Sequence, residues 1–343
     1  MPASALFPCP VAMKDLSAIV AALLAPDAQP AVLATLVAVA GSSYRRPGAR
    51  LLVQADGSRL GSISGGCLEE DVMSRAAKVR TSGHSETVVY DTTSENDLVW
   101  GVGLGCHGVV RVLLEKITPA PAWAIAVAQN IRYHRKTALT VTHGDGDPAH
   151  WGTRLAAPGD CADPAHLFLD FVAPPPALTV FGAGDDAQPL AGLARELGWH
   201  ITVADPRAAF ATAARFPTAD ALVVGRADEL VARVAPHPDG LAVVMTHHYV
   251  HDVPILRDLL ARPLVYLGLL GPKKRAEKIL ADLEKSGVVA TPAQRARLHA
   301  PVGLDLGADS PEQVALSILA EMQAALGGRD ARPLRERTRP IHD

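Results

Sequence analysis

The sequence predicts a two-domain α/β protein: an N-terminal α/β domain, then a Rossmann-like domain built on a parallel sheet. Three observations predict it. Beyond residue 177, short apolar runs alternate with helix-length segments, the pattern of a parallel sheet covered on both faces. "VFGAGDDA" places Gly182, Gly184 and Ala187 in a G-x-G-x-x-A turn directly after one such run. Asp205 closes the next run about twenty residues on, where a dinucleotide fold carries its ribose-binding acid. Between the two halves, Pro174, Pro175 and Pro176 fit neither a sheet nor a helix and read as a stiff linker. The expected boundaries are a first domain over 14–172, a linker over 173–177 and a Rossmann-like domain over 178–328. A charged, Pro-broken tail over 329–343 is expected to be disordered.

The elements follow in order. Residues 16–24 read as a short helix stopped by Pro26, and "AVLATLVAVA" as a buried strand. After the loop "GSSYRRPGA", "RLLVQADGSRLGSI" reads as a hairpin turning at Asp56-Gly57. The turn "SGGC" then leads into a helix to about Arg80. "SETVVYD" is a strand, and "GLGCHG" a glycine-rich loop that enters another. A helix over 121–134 and the hairpin-like segments "KTALTVTHGDGD" and "HWGTRLAA" complete the first half. In the second half a helix spans about 189–197. Strand patterns recur at "HITVADPR", "ADALVVGR", "GLAVVMTHH" and "LVYLGLLG". The last helix is well signalled: Ser310 at the N-cap, Pro311 at N1, Gln313 closing a capping box and Gly327 as the stop.

Bulk properties exclude several classes. The chain is 48% apolar but 4% aromatic, so its core volume comes from Ala, Val and Leu. A net charge of −3 argues against a nucleic-acid partner. Cys9, Cys67, Cys106 and Cys161 contain no C-x-x-C pair and form no disulfide framework, so reduced thiols and a cytoplasmic location are expected. No apolar run reaches the ~18 residues that span a membrane, and no membrane association is expected.

Three constellations could carry chemistry. Cys67 and Cys106 each sit in a glycine-rich turn whose backbone N–H groups can crowd a ligand. A cysteine at a helix N-terminus gains thiolate character and suits a soft metal or sulfur transfer. Glu69 and Glu70 favour the helix dipole but oppose that thiolate. The competing reading is a small residue in a tight turn. Lys273, Lys274 and Arg275 in a first helical turn fit either an anion site or a solvated basic face. His247 and His251, four apart, would share one side of a helix, but a metal site there lacks a third ligand. Asp185 and Asp186 would repel a pyrophosphate unless they point away.

The segments "GSSYRRPGARLLV", "DGSRLGSISGGCLEEDV", "GLGCHG", "LTVFGAGDDAQPLA", "ADPR", "THHYVHD", "YLGLLGPKKR" and "GLDLGADSPEQVALSILAE" occur in an order that resembles the XdhC/CoxI family over nearly the whole chain. These are accessory proteins of molybdenum hydroxylases such as xanthine dehydrogenase. The resemblance implies a chaperone more than an enzyme. It would bind the molybdenum cofactor, as molybdopterin or its cytosine dinucleotide, and protect and deliver it to an apo-molybdenum hydroxylase. Sulfuration by a cysteine desulfurase partner and a homodimeric state are implied with it. The family's Gly-Gly-Cys-Leu-Glu loop falls on Gly65, Gly66, Cys67, Leu68 and Glu69, and its Gly-x-Gly-Cys loop on Gly103, Gly105 and Cys106. With the nucleotide fingerprint and the basic helix start, the expected cofactor-binding residues are Ser43, Arg45, Gly65, Gly66, Cys67, Glu69, Gly105, Cys106, Gly182, Gly184, Asp205, Arg207 and Lys273, with Cys67 near the metal. His107 and Asp185 depart from the family pattern. The alternative is an NAD(P)-dependent oxidoreductase using Gly182, Gly184 and Asp205, against which no catalytic His/Asp or Tyr/Lys set stands out beside the fingerprint.

Overall fold

The computed structural model describes residues 13–91, 108–144 and 146–338. The chain divides at the prolines: one compact unit comprises the described residues up to Pro174 together with those from Arg337 on, and the other runs from Pro175 to Glu336.

The first unit opens with α1 (Met13–Leu23) and β1 (Ala31–Gly41), whose apolar run is buried along most of its length. Next come β2 (Arg50–Val53), β3 (Arg59–Gly61), α2 (Glu69–Ser82), β4 (Glu86–Asp91) and β5 (Gly108–Ile117). These strands form a five-stranded sheet, β3-β2-β1-β5-β4, antiparallel throughout. The β2–β3 turn is the one the sequence predicts: Gly57 has φ +85° and Ser58 N–H donates to the Asp56 carboxylate at 2.9 Å. Alternation along the strands sorts the core. Val32, Ala34, Leu36, Val110, Val112 and Leu114 face α2, while Leu33, Leu52 and Ile117 face α1 and α3 (Ala122–Arg132).

A second antiparallel sheet, β7-β6-β8, comprises β6 (Thr137–Thr142), β7 (Gly152–Leu155) and β8 (Leu167–Val172). Val141 packs it on Val37 and Leu113. Two buried charges span the gap between the sheets. Arg50 pairs with Asp170 at 2.8 Å, and Glu115 accepts from Thr153 N and Oγ1 at 2.9 and 2.5 Å.

The topology gathers the loops that matter. β1 ends, β2 begins, β3 ends, β4 ends and β5 begins at the same end of the five-stranded sheet. Gly41 pairs there with Gly108, and Asp91 with Val109. The loop 42–49 and the turn 62–68 therefore leave from one end.

The second unit is a doubly wound fold. It contains β9 (Ala177–Phe181), α4 (Ala187–Glu196), β10 (His200–Asp205), β11 (Ala221–Val224), α5 (Leu230–Val234), β12 (Leu241–Val244) and α6 (Tyr249–Leu260). β13 (Tyr266–Leu269), α7 (Lys273–Lys285), α8 (Pro292–Ala296), β14 (Leu298–His299) and α9 (Pro311–Leu326) complete it. The strand order β11-β10-β9-β12-β13-β14, parallel throughout, is that of a Rossmann fold, with the order reversing between β9 and β12.

The α9 capping box is present as predicted. α4 starts at Ala187, two residues before the expected position, because Pro189 falls at the third helical residue, where no backbone donor is required. α8 is not among the expected elements, although it opens with a Thr291/Gln294 capping box and Pro292 at N1, the same signature as α9; the two-residue β14 has no strong sequence signal. A 3-10 turn at Leu334–Glu336 follows in the segment expected to be disordered. Among the described residues no helix is long and apolar enough to cross a membrane.

Candidate functional site

In the first unit the site is assembled by Glu69. Its carboxylate turns back from the start of α2 and collects the donors of the preceding turn. Oε1 accepts from Ser62 Oγ and Ser64 N, each at 3.0 Å, and Oε2 accepts from Ser64 Oγ and from Leu68 N at 3.2 Å. Ser64 Oγ in turn accepts from Gly66 N and Leu68 N at 3.1 and 3.2 Å. Burial pushes the carboxyl's pKa up, but the hydrogen bonds from Ser64 and Ser62 outweigh it and hold the group below its ordinary value. Glu69 is thus an ionised brace for the turn, with its acceptor capacity used by the protein. Gly66 adopts φ +114°, and the Cys67 side chain it presents is exposed just before the N-terminus of α2.

Beside this turn lies an open cleft of about 350 Å³, lined by Tyr44, Arg45, Arg59, Ser62, Ser64, Gly65, Gly66 and Glu69. That volume is in the range of small-ligand sites. Tyr44 is 64% exposed, and its ring lies 3.7 Å from the position a Cβ would take on Gly65, so it overhangs the glycine turn as a flat platform. Arg45 is anchored to Asp15 at 2.7 Å, but its Nε is buried without an acceptor among the described residues. The Arg59 guanidinium has no hydrogen bond or ion pair with any described residue. Ser43 is half-buried in the loop before Tyr44. Gly105 and Cys106 lie outside the described residues. Tyr44 and Arg59 carry no individual signal in the sequence, although both stand within the motifs that flank the glycine turn.

In the second unit, Gly182 has φ +121°, and a Cβ there would lie 2.4 Å from the Met245 carbonyl oxygen. Only glycine lets the ends of β9 and β12 meet. Asp205, fully buried, accepts from Ala183 N (2.7 Å), Arg207 N (2.7 Å), Arg207 Nε (2.9 Å) and Arg207 Nη2 (2.7 Å). Burial raises its pKa, and the Arg207 hydrogen bonds more than reverse that. Arg207 also lies over the Phe210 ring at 3.9 Å. The acid expected to hold a ribose is therefore engaged by its own chain. Asp185 points away to Arg215 at 2.8 Å, as pyrophosphate binding would require. Asp186 does not: its Oδ1 would lie 2.7 Å from a Cβ on Gly184, and its Oδ2 meets His247 Nε2 at 2.8 Å. A His/Asp pair does stand beside the fingerprint. Sequence spacing could not find it, because 61 residues separate the partners.

The remaining candidates divide. His247 and His251 do not share a helix, since α6 starts at Tyr249 and His247 has left-handed backbone, φ +61°. Lys273 and Lys274 are exposed at the start of α7, while Arg275 is committed to Asp252, with Nε at 3.1 Å and Nη2 at 2.5 Å. Among the described residues no group of three or more His, Cys, Asp or Glu side chains could hold a metal.

Comparison with known proteins adds to this geometry. A family model described as XdhC and CoxI family matches residues 24–91, and an XdhC Rossmann domain model matches 178–322. The chain is 34% identical over 319 residues to a probable xanthine dehydrogenase subunit of Bacillus subtilis (strain 168), covering 87% of this chain and 94% of that one. It is 26% identical over 294 residues to the molybdenum cofactor insertion chaperone PaoD of Escherichia coli (strain K12), covering 85% and 82%. A crystal structure of a xanthine dehydrogenase from Bacillus halodurans aligns with TM-score 0.80 and 31% identity over 96% of this chain and 98% of that one.

Proposed function

The chain belongs to the XdhC and CoxI family, and from that premise we propose that it is a maturation factor that binds the molybdenum cofactor and passes it to a molybdenum hydroxylase. The observation that carries this reading is the cleft of the first unit. A planar, phosphate-bearing pterin needs a flat surface, close backbone and a cation. The cleft supplies the Tyr44 ring, the Gly65-Gly66 turn and an unengaged Arg59 guanidinium, with the Arg45 Nε still open to an acceptor. Glu69 also lines the cleft, and the four hydrogen bonds it accepts from the turn partly offset the charge it presents to this anion. The exposed Cys67 thiol at the α2 N-terminus suits a soft metal or a transferable sulfur.

Sulfuration by a cysteine desulfurase before delivery, a homodimeric state and a cytoplasmic location belong to the same proposal. So do the roles of Ser43, Gly105, Cys106 and Lys273. An NAD(P)-dependent oxidoreductase is the weaker reading, because the Asp205 carboxylate that would take an NAD ribose is saturated by Arg207 and Ala183.

The test is pterin content. The protein is produced in a host that makes molybdenum cofactor, purified without oxygen, and its released pterin oxidised and measured by fluorescence. Near-stoichiometric pterin, reduced in Cys67→Ala, is expected. A protein that stays free of pterin even when cofactor is supplied in vitro would end the proposal.

A further inference from the structure

The second unit carries an unsatisfied acceptor where its strand order reverses. Ligands of doubly wound folds enter at this crevice, beyond the carboxyl ends of the two strands that flank the reversal. Here those ends are the Gly182–Asp186 turn after β9 and residues 245–248 after β12. The Gly182 contact with Met245 brings them together. His247 then turns into left-handed backbone, costly for a residue with a side chain, and its imidazole reaches Asp186 while staying 56% exposed. Asp186 Oδ2 takes the His247 Nε2 contact. Its Oδ1 is buried over Gly184 and has no donor among the described residues. A carboxylate oxygen buried without a donor is expensive, and sites that show one are commonly completed by a ligand.

The tautomer follows from the pair. With Nε2–H donating to Asp186, the imidazole Nδ1 is left as an acceptor. Asp186 Oδ1, without a donor among the described residues, and the exposed His247 Nδ1 are then two acceptors at one crevice. Two adjacent hydroxyls supply the complementary donors. Asp205, which would normally receive them, already accepts four hydrogen bonds from Arg207 and Ala183.

We infer that Asp186 and His247 form the ribose-diol subsite of a ribonucleotide that binds this crevice, in the place that the fingerprint assigns to Asp205. The pair reads the 2′- and 3′-hydroxyls. The negative charge over Gly184 disfavours the usual approach of a pyrophosphate to that glycine and favours a neutral, donor-rich sugar.

The test uses the full chain and isothermal calorimetry with ADP, CDP, their 2′,3′-dideoxy forms and ribose 5-phosphate. The expected result is that ADP or CDP binds below millimolar concentration and that its dideoxy form binds at least about tenfold more weakly, since a site built for hydroxyls rejects an analogue lacking them. Asp186→Asn and His247→Asn, the latter chosen because Asn tolerates left-handed backbone, should each collapse that ratio towards one. Absence of binding by both nucleotides would overturn the inference. So would equal binding of the dideoxy forms by the wild-type protein, which needs no variant to fold, or a ratio that survives both substitutions. Ribose 5-phosphate binding as tightly as the nucleotides would overturn the assignment to a nucleotide.

Discussion

The two glycine turns of the molecule, Gly65-Gly66-Cys67 and Gly182-Ala183-Gly184, are built alike and present opposite chemistry. Each joins a strand to a helix, and each is stabilised by a carboxylate, Glu69 or Asp205, saturated by the protein. They differ in what remains. Around the first, the open groups are donors and a thiol: Arg59, the Arg45 Nε and Cys67. Around the second, the open groups are acceptors, Asp186 Oδ1 and the exposed imidazole of His247. A glycine turn alone therefore says little about its ligand. The residual hydrogen-bonding capacity around it, after the internal partners are counted, separates an anion site from a hydroxyl site.

The glycines themselves give the largest expected contrast. Gly182→Ala would drive a Cβ to 2.4 Å from the Met245 backbone and should destabilise the second unit by about 4 kcal/mol or more, seen as loss of its cooperative unfolding transition. Gly66→Ala meets no atom within 4 Å and carries only the penalty of φ +114°, about 1–2 kcal/mol. Equal effects would break the comparison.

The two braces come next. Asp205→Asn leaves the Arg207 fork facing a neutral amide in a buried site and should cost about 3 kcal/mol in urea unfolding. Glu69→Gln loses neutral donors only, at about 2 kcal/mol.

Acid should separate the units by a smaller amount. Burial, then the Arg111 charge, hold the His143 pKa below 6.5, and neither of its ring nitrogens has a hydrogen-bond partner among the described residues. The unfolded chain takes up that proton first, so stability is present above about pH 6.5 and falls as pH drops through it. The His143 contribution of the first unit should fall between about pH 7 and 5.5, read as a lower urea midpoint that His143→Gln removes. Glu69 and Asp205 are likewise depressed, so both units keep those contributions until the pH falls below about 4.5, near the unfolded carboxyl values. Coincident acid transitions of the two units would contradict this.

Much of this architecture is legible in the sequence, because local signals write it. The Pro174–Pro176 interruption, the G-x-G turn after a strand, the Asp56-Gly57 hairpin and the Ser310 capping box each act over a few residues. What stays hidden is relational. Nothing in the run "SGGCLEE" says that Glu69 folds back onto Ser62 and Ser64 and leaves Cys67 exposed. Asp205 is readable as the acid of the fingerprint, but Arg207, two residues on, uses it up. The Asp186–His247 contact joins strands that meet only in the folded sheet. Tyr44 and Arg59 gain meaning only when their loops leave the same sheet end.

If the two turns take different ligands, one binding series separates them. The affinity of the purified full chain for molybdopterin would be measured in wild type, Arg59→Ala and Asp186→Asn. Arg59 is exposed and unpaired among the described residues, so its loss should leave stability within about 0.5 kcal/mol of wild type. Pterin should bind about tenfold more weakly to Arg59→Ala, which lacks one charge-assisted contact, and equally well to Asp186→Asn. Unchanged affinity in Arg59→Ala together with a loss in Asp186→Asn would contradict this and move the pterin to the second unit.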